Sequence, residues 1–169
     1  MTIKNYILPE KILFNAMNQS WQIHYLSCQS KFEMFIRPTQ EIVFVGKNQD
    51  KKIYKQKLMT WMKKHSGEYL FSQLQNISQS TSMDFTRLTI RDQKTLWGSC
   101  TINKSISLNY KLVFLPHHLL QHVIIHELCH TVHMNHSKAF WNKVAEFDPG
   151  WHAHKKELRK ASQYLPDWI

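Results

Sequence analysis

Apolar and polar side chains alternate along residues 21–45, with short polar breaks at Ser27–Ser30 and Arg37–Gln40. Alternation with a period of two is typical of strands that bury one face. We therefore predict three strands that form an antiparallel meander. The apolar positions that carry the pattern are Trp21, Ile23, Tyr25, Phe32, Met34, Ile36, Ile42 and Phe44.

The spacing changes over residues 51–65, where apolar side chains recur at steps of three and four and lysines fall mostly between them. This pattern predicts an amphipathic helix with a basic outer face. Ser66–Gly67 is expected to break the helix, and residues 68–77 are expected to form a second one.

Strand character returns at Phe85–Arg91 and at Ile106–Leu115. The segment Leu96–Cys100 lies between them and is predicted to be a turn or bulge at a strand end. Together with the earlier strands, these segments indicate a small antiparallel sheet accompanied by helices, which is the α+β class.

Helix signals dominate the C-terminal part of the chain. Pro116 is well tolerated in a first helical turn, Asn135 is a candidate left-handed residue at a helix end, and Ser137 is a candidate N-cap. Asp148–Pro149–Gly150 is expected to end a helix. The predicted helices cover about residues 116–134, 138–147 and 151–164.

The charge balance bears on partners. Lys and Arg number 22 and Asp and Glu 12, which gives a net charge of +10 with histidine neutral. Such a surface attracts polyanions, including nucleic acid. The alternative is a well-solvated surface without a specific polyanion site.

Cysteine use and hydropathy bear on location. Cys28, Cys100 and Cys129 are far apart in the sequence, so they indicate no disulfide framework. No apolar run approaches the roughly 20 residues that a membrane-spanning helix needs. We expect a cytoplasmic protein without a membrane partner.

The segment that carries chemistry is His126-Glu127-Leu128-Cys129-His130. Residues four apart on a helix lie on one face, so His126 and His130 can direct their imidazoles at one point. Two imidazole nitrogens from one rigid helix suit zinc. Glu127 lies beside this face and can reach a bound water without ligating the metal.

A third ligand is needed if one coordination position is to stay open for water, and His136 is the candidate. The spacing HExxHxxxxxH matches the ligand positions of the long zincin motif. His133 stands where metzincins carry glycine, so the spacing supports the three-histidine set better than the metzincin class. The alternative is a histidine-rich helix without catalysis.

The neighbouring residues are interpreted separately. His122 lies one turn before His126 and is expected to be a hydrogen-bonded rim residue rather than a ligand. His133 is a candidate oxyanion donor. Cys129 is expected to be a small buried side chain. His152 and His154, further along the chain, are expected on the surface.

Five motifs lie in the second half of the chain. They are WGSC at 97–100, SLNY at 107–110, a proline at 116, HELCH at 126–130 and NHSKAFW at 135–141. Together they resemble the YgjP-like metallopeptidase family of predicted zinc-dependent hydrolases. Through this family the chain is similar to SprT-like and WLM-type proteases, which act on proteins crosslinked to DNA.

The resemblance implies a zincin-like α+β fold, with a small antiparallel sheet packed against an active-site helix and additional N- and C-terminal helices. It implies one metallopeptidase domain over residues 1–169. In this domain, 1–80 hold the N-terminal strands and basic helices, and 81–169 form the metal-site half. His126, His130 and His136 match the family's metal ligands, and Glu127 matches its catalytic glutamate.

The resemblance also suggests substrate-binding residues, namely Trp97, Ser99 and Asn109. For Trp97, an ordinary core aromatic is an equal alternative. The family usually carries arginine just before WGSC, where Leu96 stands here, and Arg91 or Lys94 are candidate substitutes. In proteases of this general fold an extended peptide pairs with a sheet edge beside the metal helix, and 105–110 is the candidate edge.

The leading hypothesis is a zinc metallopeptidase with one zinc ion per chain, which cleaves a peptide or protein substrate. Glu127 would act as the general base. The alternative is a basic nucleic-acid-binding protein, including a DNA-associated protease of the SprT or WLM type, in which zinc is structural. A histidine-rich metal store would instead bind several ions per chain.

Overall fold

Two small β-sheets and four α-helices form the fold of residues 8–47 and 50–169, the part described by this computed structural model. Residues 1–7 and 48–49, which belong to the predicted N-terminal half, lie outside the described residues. The strands are β1 (Lys11–Phe14), β2 (Gln19–Ser27), β3 (Glu33–Arg37), β4 (Glu41–Gly46), β5 (Arg87–Arg91), β6 (Gly98–Cys100) and β7 (Ser105–Asn109). The α-helices are α1 (Lys51–Thr81), α2 (His117–Cys129), α3 (Lys138–Phe147) and α4 (Trp151–Leu158).

The first sheet has the strand order β1-β2-β4-β3, so the predicted antiparallel meander is wrong. β2 and β4 are parallel neighbours, and β3 pairs with β4 alone. The three consecutive residues Ile42, Val43 and Phe44 are all buried, which suits a central strand covered on both faces. Strand β3 is mostly exposed and takes the edge.

Helix α1 is continuous from Lys51 to Thr81, so the predicted break at Ser66–Gly67 is wrong. Ser66 is fully buried, and a Cβ on Gly67 would lie 3.1 Å from Cγ1 of Ile90 in β5. The small residues therefore let the helix approach the second sheet closely. This packing compensates for the low intrinsic helix propensity of glycine.

The second sheet has the order β5-β7-β6. The segment predicted as a turn at Leu96–Cys100 contains strand β6, and the strand predicted over Ile106–Leu115 ends at Asn109 and continues as a 3-10 turn. Because β7 is the central strand, the prediction that 105–110 forms an open edge is wrong, and β6 lies at the edge instead. The α+β class is confirmed, although both sheets are mixed because each contains one parallel pair.

Helix α2 positions the site. Pro116 occupies its N-cap, and the helix ends at Cys129, earlier than predicted. Beyond this end, His133 N–H donates to the carbonyl of Cys129, and Asn135 is not left-handed. Ser137 caps α3 as predicted, because its hydroxyl accepts a hydrogen bond from Phe140 N–H.

Helix α2 contacts α1, α3, α4 and strand β6, so it is enclosed by the rest of the domain on most sides. Its apolar residues Leu120, Ile124 and Leu128 are fully buried. Within residues 8–47 and 50–169, no helix is both long enough and apolar enough to cross a membrane.

Candidate metal centre

Three imidazoles converge where α2 ends. His126 lies in the last turn of α2, His130 follows its last residue, and His136 lies in the loop before α3. The Nε2 atom of His126 is 3.2 Å from Nε2 of His130 and 3.1 Å from Nε2 of His136. The helical spacing and the return of the chain therefore bring all three predicted ligands to one centre.

Hydrogen bonding fixes the tautomer of His130. Its Nδ1 donates to the backbone carbonyl oxygen of His133 at 3.1 Å, so in the neutral ring Nε2 carries a lone pair. Two nitrogens bound to one tetrahedral zinc at ~2.0–2.1 Å lie about 3.3–3.4 Å apart. The observed spacing is close to this value, and the three histidines could hold such an ion.

The environment favours neutral ligands. Burial, followed by the neighbouring charges of His130, His136, His122 and Lys155, lowers the pKa of His126 to about 3. Burial also lowers the pKa of His130. Neutral imidazole is the form that binds metal, so both rings are ready to ligate at neutral pH.

Aromatic rings from α3 support the ligands. Phe140 stacks on His130, with ring centroids 4.5 Å apart, and Trp141 stacks on His136 at 5.6 Å. Phe140 is fully buried. Because Ser137 caps α3 directly after His136, the same short segment that supplies the third histidine also places these two rings.

Glu127 follows the first histidine and lies against strand β6. Its side chain is buried, and its Oε2 has no hydrogen-bond partner among the residues that the structure describes. Burial raises the pKa of this carboxyl to about 8. Gly98 leaves the space for it, because a Cβ at this position would lie 2.7 Å from Cγ of Glu127.

The three predicted substrate-binding residues occupy different surroundings. Trp97 lines a cleft of about 450 Å³ that also contains His126 and Glu127. Ser99 lies in β6 opposite Ser107 and is partly exposed. Their substrate-binding roles stay predictions.

Asn109 is buried, and its side chain is occupied by hydrogen bonds. Its amide nitrogen donates to the carbonyls of Gln93 and Leu96, and its oxygen accepts from Lys111 N–H. These contacts favour a role in holding the loop before WGSC. Substrate binding by Asn109 stays a prediction.

A second polar cluster lies beside the first. His122 and His154 both donate Nδ1–H to the carboxylate of Asp148, at 2.6 Å and 2.9 Å. The hydrogen-bonded role predicted for His122 agrees with this contact. His154, which was predicted on the surface, is partly exposed and also holds Asp148. His154 packs against Gly150, and no local sequence pattern connects it to Asp148 and His122.

The cleft has one wall that sequence reasoning missed. Lys155 and Arg159, four residues apart at the end of α4, line it together with Trp141. Their i,i+4 spacing indicates a shared helix face. The packing of α4 against α2 turns this face toward the metal centre. The sequence alone does not show this packing.

The HExxH helix packed on a small sheet, with a third histidine beyond it, defines the metallopeptidase class. The family model of the YgjP-like metallopeptidase domain matches residues 2–161, and the chain belongs to this family. It is therefore a protease of the metal-dependent class, and the resemblance seen in the sequence is confirmed.

Three solved chains are similar to this one, and one of them is a metallopeptidase. It is described as the metallopeptidase zymogen of Pyrococcus abyssi abylysin, with 22% sequence identity and a TM-score of 0.48. The match covers 56% of this chain and 93% of the other. No curated protein matches the chain.

Proposed function

We propose that this metallopeptidase is a zinc enzyme that hydrolyses peptide bonds, with His126, His130 and His136 as ligands and Glu127 as general base. The observation that carries the proposal is the buried Glu127 carboxyl, whose Oε2 has no partner in the described structure and which lines the same cleft as His126. A buried acid without a hydrogen-bond partner lowers the stability of the folded protein. Its presence therefore indicates a role other than stability, such as catalysis.

Zinc at this centre supplies Lewis acidity toward a water molecule and toward the carbonyl of the bond to be cleaved. Glu127 takes the proton of the attacking water on its carboxylate and passes it to the leaving amine. A pKa raised toward neutrality suits this double task, because the carboxyl exchanges a proton readily at working pH. Burial of the Glu127 side chain limits its contact with bulk solvent.

The test uses purified protein with one equivalent of zinc and a mixture of labelled peptides. Cleavage is expected for the wild type, with a loss of at least about 100-fold in Glu127→Gln. Glu146→Gln, an exposed glutamate of α3, is the matched control and should cleave normally. An inactive wild type, or equal cleavage by both glutamate variants, would refute the proposal.

Ligation is tested separately from activity. His126→Ala and His130→Ala should lose zinc in a metal analysis, whereas Glu127→Gln should retain it. A metal content that is unchanged in the histidine variants would remove the proposed ligand set.

A second candidate is a nucleic-acid-binding protein with structural zinc, which the net charge of +10 favours. A structural zinc site usually has four protein ligands. Within residues 8–47 and 50–169, the cluster of possible ligand side chains at this centre comprises three histidines. A salt titration of DNA binding tests this candidate, since phosphate contacts give a steep loss of affinity with salt.

A further inference from the structure

The cleft beside the candidate metal centre is positively charged along one wall. Lys155 and Arg159 line it at the C-terminal end of α4, and Glu127 is the single acid among the described residues that line it. We propose that the peptide substrate carries an acidic side chain close to the bond to be cleaved, and that Lys155 and Arg159 bind its carboxylate. This proposal rests on the proposed peptidase function of the same cleft.

Lys155 is held in place by aromatic rings, and no acid among the described residues pairs with it. Its Nζ lies 4.1 Å from the centroid of the Trp141 ring and 5.7 Å from that of Trp151, so cation–π contacts direct the ammonium group. The side chain is half-buried. Lys155 lines the same cleft as His126, which places its ammonium group near the reaction centre.

The acids around the cleft already have partners. Asp148 accepts from His122 and His154, and Glu157 accepts from His118 and Tyr164. No ion pair to Lys155 or Arg159 is formed by any residue in the described ranges 8–47 and 50–169. Two neighbouring cations in a cleft with apolar walls therefore produce a local positive potential that attracts anions.

A third acid is used in the same way, since Asp92 pairs with both Lys63 and Lys111. It therefore leaves the cations of α4 uncompensated.

The positive lining continues away from the metal centre. A second cavity of about 190 Å³ shares Leu96, Trp97 and Arg159 with the cleft and adds Lys94. An extended peptide that places one carboxylate at Arg159 would thus meet further positive charge along its length.

A peptide carboxylate fits this cleft better than a nucleic acid phosphate. Lys155 is half-buried and Arg159 is more exposed, and the cleft that they line also contains Leu96, Trp97 and Leu158 beside His126 and Glu127. Such a mixture of apolar walls with a few charged groups is typical of sites that enclose a side chain. Phosphate backbones are instead bound along open basic grooves.

The test measures binding rather than cleavage. Zinc-loaded Glu127→Gln protein is titrated into three fluorescent peptides that differ only at one central position, which is Glu, Gln or Lys. The Glu peptide should bind about 10-fold more tightly than the Gln peptide, because charge-assisted hydrogen bonds to carboxylate are strong, and the Lys peptide should bind most weakly. Equal affinity for all three peptides would overturn the proposal.

The assignment to α4 is tested with the Lys155→Met and Arg159→Met variants, singly and together. The double variant should bind the Glu and Gln peptides equally, whereas Lys156→Met, on the exposed side of α4, should keep the preference. A preference that survives in the folded double variant would contradict the proposal. Circular dichroism checks that each variant is folded.

Charge reversal and a competitor complete the test. Arg159→Glu should shift the preference toward the Lys peptide. A single-stranded oligonucleotide is added as a competitor to the Glu peptide. If it displaces the peptide, and if Lys155→Met and Arg159→Met weaken oligonucleotide binding, phosphate is the ligand and the proposal is overturned. Binding preference without cleavage by the wild type would refute the proposed function and leave the carboxylate site intact, so the two failures are distinguishable.

Discussion

A Cβ atom added to Gly98 would lie 2.7 Å from both Cγ and Oε1 of Glu127. Strand β6 and helix α2 can therefore approach each other at this point only because residue 98 has no side chain. The contact explains why a glycine stands in the WGSC motif directly opposite the proposed general base.

The Gly98→Ala variant is expected to displace the Glu127 carboxyl while leaving the three histidines in place. It should bind zinc normally but lose most of its kcat, and overpacking should cost about 1–3 kcal/mol in stability. Zinc content, unfolding free energy and peptide cleavage check these effects together.

Gly67→Ala is the matched control for this prediction. A Cβ on Gly67 would lie 3.1 Å from Cγ1 of Ile90, which is also a close contact. This contact joins α1 to β5 and does not involve Glu127. Its kcat per folded molecule should stay at the wild-type value. A Gly98→Ala enzyme with normal kcat would show that the position of Glu127 does not depend on this contact.

The pH dependence of stability should report the burial of Glu127 in the metal-free protein. Burial raises its pKa from 4.5 to about 8, so between these values the folded state holds a proton that the unfolded state has released. Stability that the protonated carboxyl provides is therefore lost as the pH rises toward 8. Histidines whose pKa burial lowers, including His126 and His130, change stability in the opposite direction near pH 6.5, so the comparison with Glu127→Gln isolates the carboxyl.

Relative to Glu127→Gln, the wild type is expected to lose about 1.4 kcal/mol of unfolding free energy per pH unit between pH 6.5 and 8, and to level off above this range. Denaturant titrations of both metal-free proteins measure the difference. Glu146→Gln should follow the wild type. Parallel curves for wild type and Glu127→Gln would mean that the carboxyl is solvated and titrates normally.

The convergence of the three candidate ligands could be predicted from the sequence because its geometry is mostly local. His126 and His130 share a helix face, and Ser137 marks the start of the next helix, so the return of His136 follows from short-range spacing. Glu127 is adjacent to a ligand and needs no tertiary information to be placed beside it.

The parts that sequence reasoning missed depend on long-range packing. The parallel pairing of β2 with β4 reflects which strand is buried on both faces, and alternation along single strands does not reveal the order of neighbours. Gly67 was predicted to break α1, because the sequence does not display Ile90 lying against it. The contact of Asp148 with His122, 26 residues earlier in the chain, arises only when the segment after α3 packs on α2.

The buried carboxylate of Asp148 is expected to be a structural centre rather than a second metal site. Both imidazoles donate Nδ1–H to it, so the ring nitrogens nearest the carboxylate carry protons and are not free to ligate. Asp148→Asn should therefore cost about 2–4 kcal/mol in unfolding free energy and leave one zinc ion per chain.

Glu157→Gln provides the comparison for this variant, since Glu157 also accepts from a histidine but is more exposed. Its cost should stay below about 1 kcal/mol. Denaturant unfolding of the metal-free proteins measures both costs, and metal analysis counts the ions. A stoichiometry of two that falls to one in Asp148→Asn would contradict the prediction.

Zinc binding should stabilise the folded chain through His136 in particular, because this ligand is exposed and contributes little to the fold without metal. At a free zinc concentration 100 times the dissociation constant, binding adds about 2.7 kcal/mol to the unfolding free energy. His136→Ala should abolish this gain at the same zinc concentration, while its metal-free stability stays within about 0.5 kcal/mol of the wild type.

His152→Ala, which changes another exposed histidine, should keep the full zinc-dependent gain. A chelator titration followed by thermal unfolding measures the zinc-dependent shift of the unfolding temperature in each variant. A shift that persists in His136→Ala would mean that two histidines suffice to bind zinc and that the third has another role.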